Sequence, residues 1–310
     1  LIEIKPFAVD AVFFRMLKKL CLLICVLIGT TPPVEAQITK EFIVDEKEGF
    51  DLVRFDFSSY KGTTKVKRKT SGQPLRVHAH LAKVNILPTF THHVSQGILT
   101  ANIDHRNIES ENLGKSLSYR LFSGSNENFD HSWYIDLDTD FLYDLNFNLG
   151  IGRADFDLSH LSVSNCKIKS ASADIALEYS NSTLNAVSMD TMMVTINMGA
   201  IDAKNINYSN AKNMVFNVDY GTLTLSFTDN VPEGSNVTAM VGAGSVNIDL
   251  PSDNHPYIIK VKSTAMCRTS IPGNLKEIGN KTYVSKGYTK NADNLMTFLI
   301  DISVGSVSLK

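Results

Sequence analysis

The chain has 310 residues, 43% hydrophobic and 20% charged, with 30 basic against 32 acidic side chains and a formal net charge of −2. That is a soluble composition, enough for one large or two medium domains. The near-zero balance gives no support for nucleic acid as a partner, because phosphate neutralisation needs clustered basic charge; the one dense basic run, Lys65–Lys69, contains an apolar residue and reads as a solvated strand face.

Residues 1–15 stand ahead of Met16 and read as an upstream extension. Residues 16–36 have the order of a secretory signal peptide: Lys18 and Lys19, an apolar run from Leu20 to Ile28, and a small-residue end at Val34-Glu35-Ala36. The run is shorter than the roughly 20 apolar residues that span a bilayer, although an internal anchor is the alternative reading. Ile24 precedes Cys25 where a lipid-modified cysteine wants a small residue. The expected mature chain starts at Gln37 with 26 basic and 29 acidic residues and no integral membrane segment, exported to the periplasm, the outer surface or the medium. It keeps two cysteines, Cys166 and Cys267, which either bridge or stay unpaired and buried.

Residues 37–130 read as an N-terminal β portion. Gln37–Gly49 is a polar lead-in. From Phe50 to Leu87 apolar residues alternate (Phe55, Phe57, Val66, then Leu75, Val77, Ala79, Leu81) between breaks at Gly62 and Gly72-Gln73-Pro74. Val84–His93, Gly97–Ile103 and Ser116–Leu121 look like short strands, with Pro88 at a strand end. Asn107–Asn128 reads as loop.

Residues 131–310 carry a repeat. Gly150–Leu158 joins a glycine turn to an alternating strand, and variants return at Ser172–Leu177, Gly199–Ala203, Gly221–Leu225, Gly244–Ile248 and Gly305–Leu309. Aligning Ala154, Ala173, Ala200, Thr222 and Ser245 gives steps of 19, 27, 22 and 23 residues. A second short strand precedes each turn: Cys166–Lys169, Met192–Asn197, Met214–Val218 and Val237–Met240. A period near 20 residues with two strands per step is a solenoid signature. One unit cannot bury its apolar side alone. Stacking is expected to align Phe156, Ile175, Ile201, Leu223 and Val246 in one inner column and Leu158, Leu177, Ala203, Leu225 and Ile248 in the next. Glycine allows φ > 0 at the corner, and Asn205–Asn210 suits stacked turns because Asn tolerates the left-handed region. Pro251–Asn294 interrupts the period, so the chain is expected to end in a terminal capping rung with a long excursion.

Asp144–Ser159, with Trp133-Tyr134-Ile135-Asp136-Leu137 upstream and Gly287-Tyr288, Asn294 and Val304-Gly305-Ser306-Val307 downstream, resembles the toast-rack or adhesin-type β-proteins, relatives of the C-terminal domain of LiaF-like cell-wall stress proteins. The resemblance covers residues 50–310, best 130–310, and departs at Ser170–Leu177, where Ser stands for Gly. It implies an all-β fold, a single-stranded, right-handed β-helix-like solenoid with irregular N-terminal β rungs, in an exported bacterial protein without established enzyme activity.

No residue set points to catalysis or to a cofactor. His78, His80, His92 and His93 would make a zinc site only if their strands brought three together. No Gly-x-Ser-x-Gly elbow or His-Glu-x-x-His occurs, and the glycine pairs at Gly150 and Gly242 open no helix that would receive a phosphate. Asp155, Asp157, Asp174 and Asp202 form the candidate contact set: an acidic stripe on the outward face, suited to a cation or a glycan. The expected function is a non-catalytic envelope or surface module for binding, adhesion or structure, with an envelope component, glycan or protein as partner. The alternatives are a carbohydrate-active β-helix enzyme with paired carboxylates in a groove and a periplasmic stress-signalling domain.

Overall fold

The computed structural model describes residues 38–82, 87–105, 131–180, 183–229 and 233–310, which lie within one compact unit. The expected signal peptide, the loop 107–128 and the strand 116–121 lie outside the described residues, as does the start of the expected strand at 84.

The strands are β1 (Ile38–Val44), β2 (Leu52–Arg68), β3 (Leu75–Leu81), β4 (Thr89–Ser95), β5 (Ile98–His105), β6 (Ser132–Leu137), β7 (Leu142–Asp157), β8 (Ser162–Glu178), β9 (Met189–Lys204), β10 (Ala211–Ser226), β11 (Ser235–Asp249), β12 (Tyr257–Ser263), β13 (Cys267–Ser270), β14 (Lys276–Gly279), β15 (Thr282–Val284) and β16 (Met296–Leu309). They form one sheet. The only helical turn among the described residues is the 3-10 turn Ile206–Ser209.

The long strands are rungs. β2, β7, β8, β9, β10, β11 and β16 lie side by side in that order, parallel and nearly in register. Leu142 pairs with Ser162 although only four residues separate Asp157 from Ser162. Sixteen extended residues would reach about 50 Å, and the link back covers at most about 18 Å. Each rung is therefore folded into two arms. The burial pattern marks the bend: in β7 the inward residues are Tyr143, Leu145 and Phe147 before it and Ala154 and Phe156 after it, a change of parity. The bend falls on a column of Gly62, Gly152, Ala173, Gly199, Gly221, Gly244 and Gly305, joined by register.

That column corrects the expected alignment. Ala173 stands with Gly152, and Ala154 stands with Ile175. The inner columns of the second arm are Ala154–Ile175–Ile201–Leu223–Val246–Val307 and Phe156–Leu177–Ala203–Leu225–Ile248–Leu309, so Phe156 and Leu158 were placed two residues out. Matching alanine to alanine misled; the backbone corner sets the register. The first arm contributes Phe57, Phe147, Ile168, Val194, Phe216, Ala239 and Ile300 to the facing layer, all fully buried. At about 1.5–3 kcal/mol per buried large side chain these columns are the principal favourable term.

The two ends differ. At one, β5 continues the first arm of β2 and β6 the second, both parallel; antiparallel β4 then covers β5, and antiparallel β3 and β1 cover β6. β2 is thus already a rung, with its own glycine corner. At the other end β16, the last strand in sequence, lies inside the stack. Its outer neighbours are β12 on the first arm and β13 on the second, and β15 and β14 complete the cover. The excursion that interrupts the period is what caps it.

Buried polar groups pin the links between arms. Asp138 accepts backbone N–H bonds from Ser71 (2.5 Å), Gly72 (2.6 Å) and Asp140 (3.1 Å). The Tyr143 hydroxyl accepts from Asp138 N and reaches the Pro74 and Asp138 carbonyls, all within 2.9 Å. On the opposite side, Asn205 and Asn210 flank the 3-10 turn in left-handed conformations, as asparagine allows.

Candidate functional site

The second arm presents a solvated face built by strand alternation. In the position three residues after the corner, Lys65, Asp155, Ala176, Asp202, Thr224, Asn247 and Ser308 follow one another across the rungs. Asp157 lies in the column two residues further, beside Glu178, which neighbours Lys204. Asp174 lies two residues earlier, between Arg153 and Ala200.

The four expected aspartates therefore share a face without converging. Asp155 and Asp202 occupy one column but are two rungs apart, about 10 Å at the usual strand spacing. Each carboxylate has a local partner: Asp155 pairs with Arg153 (3.1 Å), Asp202 with Lys204 (3.7 Å), Asp157 accepts the Ser159 N–H (3.0 Å) and Asp174 accepts the Ala200 N–H (3.1 Å). Such exposed pairs contribute little to stability, but they leave a mixed-sign polar surface in place of an acidic stripe.

The first arm carries a comparable face that alternation alone did not single out. Asp144 receives Arg54 (3.0 Å) and Asn165 (3.0 Å) from its two neighbouring rungs, Asn146 donates to Asp56 (2.8 Å), and Asn236 donates to Asn213 (3.4 Å). Polar side chains at matching positions of successive rungs made these ladders findable, once the register was known.

The histidines separate. His78 faces Glu41 (3.7 Å) and His80 approaches Thr39 (3.3 Å) on β3, whereas His92 on β4 pairs with Glu46 (3.1 Å). Among the described residues no group of three potential ligands meets the geometry of a metal site. A different histidine does structural work: His131 Nδ1 accepts the Ala82 N–H (3.2 Å), so its proton sits on Nε2, which donates to the Tyr60 hydroxyl (2.9 Å). His105, Trp133 and Tyr60 surround it in one aromatic cluster.

Hollows in the described surface are shallow. One, beside the 3-10 turn, is lined by Asn207, Asn210, Lys212, Glu233 and Ser235; another lies against the corners of β2 and β7. The first lies away from the aspartate face, and the second reaches its edge at Arg153.

A parallel stack of bent rungs with a glycine column at the bend and no convergent chemistry defines a β-solenoid module. The chain belongs to the toast-rack family: the family model described as "N-terminal domain of toast_rack, DUF2154" matches residues 33–206. A search of the curated proteins finds no match. Two solved structures are similar at low identity: a candidate cell adhesion protein from Clostridium sporogenes (14% identity, TM-score 0.45, 89% of this chain and 99% of that one) and a candidate adhesin from Bacteroides fragilis (11%, TM-score 0.33, 90% and 99%). No helix among the described residues is long and apolar enough to cross a membrane.

Proposed function

We propose that this protein is an exported, non-catalytic module of the cell envelope or surface, which binds a glycan, an envelope component or a protein through the flat outer faces of its rack. The observation that carries this reading is the separation of the carboxylates: Asp155 and Asp202 stand two rungs apart on an even polar face, each beside its own cation. A glycosidase pair instead flanks one bond in a cleft. Repeated polar groups at fixed spacing suit an extended partner that touches several rungs at once, and Asp155, Asp157 and Asp202 are its contacts on the second arm.

The test is binding of the purified protein to immobilised peptidoglycan and to a panel of polysaccharides. The variant Asp155→Asn/Asp157→Asn/Asp202→Asn is expected to bind at least tenfold more weakly at unchanged melting temperature. Release of new sugar ends from any of these polymers would overturn the non-catalytic reading. Protease treatment of intact cells, and of cells whose outer envelope is permeabilised, tests the location: a cell-associated protein untouched in both would place it inside the cytoplasm.

A further inference from the structure

We propose that the corner edge of the rack takes a second copy of this chain, lying antiparallel to the first. The residue immediately before each corner stands at the edge between the arms. Across successive rungs these residues are Ser172, which is buried, then Met198, Tyr220, Ala243 and Val304, and Met266 continues the line, because it precedes Cys267, the partner of Gly305. Tyr220 is 62% exposed, Met266 69% and Val304 40%, so three of the seven exposed large hydrophobic residues among those described stand on this one line. The line runs about 19 Å from Met198 to Met266 at the usual strand spacing. Polar positions border it: Asn197, Asp219 and Ser303 on the first arm, Thr222, Ser245 and Ser306 on the second. A contiguous apolar strip with a polar border marks an interaction surface.

Sequence along the edge selects the occupant. A half-turn about an axis crossing the edge between Tyr220 and Ala243 sets Tyr220 against Ala243 of the second copy and Met198 against its Val304, and brings its Met266 over the β8 corner, where Ser172 is buried. The large tyrosine meets the small alanine on both sides of the axis. The same half-turn keeps second arm beside second arm. It therefore places Asp174, the residue after the β8 corner, opposite Arg268, the residue after the β13 corner position. Both are exposed, and this complementary pair forms twice. Within one copy the two lie five rungs apart and cannot meet. A parallel arrangement needs a half-turn along the edge, which sets first arm beside second arm: it stacks Tyr220 on Tyr220 and keeps Asp174 at the far end of the edge from Arg268 of the second copy. An edge about 19 Å long and three side chains wide buries less than the roughly 800 Å2 per partner of a standard interface, so the dimer is weak and depends on concentration.

The experiment is a cross-link that only this arrangement permits. In a Cys267→Ser background, Asp174→Cys/Arg268→Cys is expected to give a covalent dimer on mild oxidation, and each single cysteine to give none. Sedimentation equilibrium of the unmodified protein is expected to show dissociation in the micromolar to millimolar range, weakened at least tenfold by Tyr220→Asp. Asp174→Arg is expected to weaken it further than Asp174→Arg/Arg268→Asp, which restores the charge pair. Asp174, Tyr220 and Arg268 are exposed and Cys267 is half-buried, so the melting temperature checks that the variants fold. A dimer trapped by Asp174→Cys alone would overturn the antiparallel geometry. Monomer throughout, no trapped species, or a dimer indifferent to Tyr220→Asp would overturn the proposal, the last two even if the edge captures some unrelated apolar protein.

Discussion

A β-carbon placed on Gly244 would overlap the carbonyl oxygen of Gly221 in the adjacent rung. The same relation joins Gly221 to Gly199, Gly152 to Gly62 and Gly305 to Gly244, so the corner is packed backbone against backbone. Gly221 and Gly244 also hold φ of 145° and 147°, a region that side chains rarely enter. Gly244→Ala and Gly221→Ala are thus expected to lower stability by about 3 kcal/mol or more, since strain of about 1–3 kcal/mol adds to a clash that no side-chain rotation relieves. Gly273→Ala is the control: its β-carbon enters open space, and a change within about 0.5 kcal/mol is expected. Equal urea midpoints for Gly244→Ala and the unmodified protein would remove the corner's structural role.

Asn185 ties three turns on the opposite side. Its amide donates to the Val163 carbonyl (2.7 Å) and the Ser209 carbonyl (2.9 Å), and its oxygen accepts the Val163 N–H (3.1 Å), all buried. Asn185→Ala leaves three buried backbone groups without this partner, at a cost of about 2–4 kcal/mol. Asn185→Asp is expected to be worse at neutral pH, because a carboxylate cannot donate to either carbonyl, and to recover partly on acidification. Thermal melts at two pH values separate these outcomes; a tolerated Asp at neutral pH would contradict the hydrogen-bond assignment.

How much of this was legible in the sequence follows from what each signal encodes. Period-two alternation and recurrent glycine disclosed the rungs, because burial and the corner each act on local residue type. The first two steps were misaligned because Ala173 makes the corner without a positive φ, so the glycine signal is missing there: Ala173 stands with Gly152 and Gly199, and Ala200 with Asp174. The place of β16 inside the stack was not legible: Gly305-Ser306-Val307 says that the strand stacks on a like rung, and not that β12 and β13 will cover it. Likewise the outward aspartates were found by parity, but their local partners depend on register across rungs. Tyr220 escaped notice because it occupies the break in alternation, where sequence reads only as turn.

The two cysteines among the described residues, Cys166 and Cys267, are unpaired in the fold and differ in reactivity. Burial pushes the Cys166 thiol up to about 12, and the nearby Asp144 charge adds to this, so almost no thiolate forms at neutral pH. Cys267 is only half-buried, with its sulfur 3.5 Å from the Ile302 carbonyl. In protein starting at Gln37, Ellman's reagent is expected to modify one thiol in the native state and both after denaturation, with Cys267→Ser abolishing the native reaction. A native reaction that survives Cys267→Ser would show that the β8 layer opens.

Acid should destabilise the protein in two stages, set by His255 and Asp138. Burial lowers the His255 pKa, opposed by a backbone bond at Asn294 and the charge of Asp229. The unfolded histidine gains a proton below about pH 6.5 while the folded one resists, so this contribution to stability is full above about 6.5 and falls as the pH drops to the lower folded value. Asp138 behaves oppositely in origin. Burial alone would raise it, but the backbone donors of Ser71, Asp140 and Gly72 and the Ser71 hydroxyl hold it below the ordinary carboxylate value. A depressed acid stabilises above its unfolded value of about 4, and that contribution disappears as the pH falls through the folded one. Melting temperature followed from pH 7.5 to 3 is therefore expected to decline first below about 6.5 and more steeply below about 4. His255→Phe should flatten the upper stage and leave the lower. Asp138→Asn should remove the lower stage while costing about 1–3 kcal/mol at pH 7, since the amide accepts these bonds less well and brings donors of its own. A single decline near pH 4 that His255→Phe leaves unchanged would show that His255 is freely protonated in the folded cap.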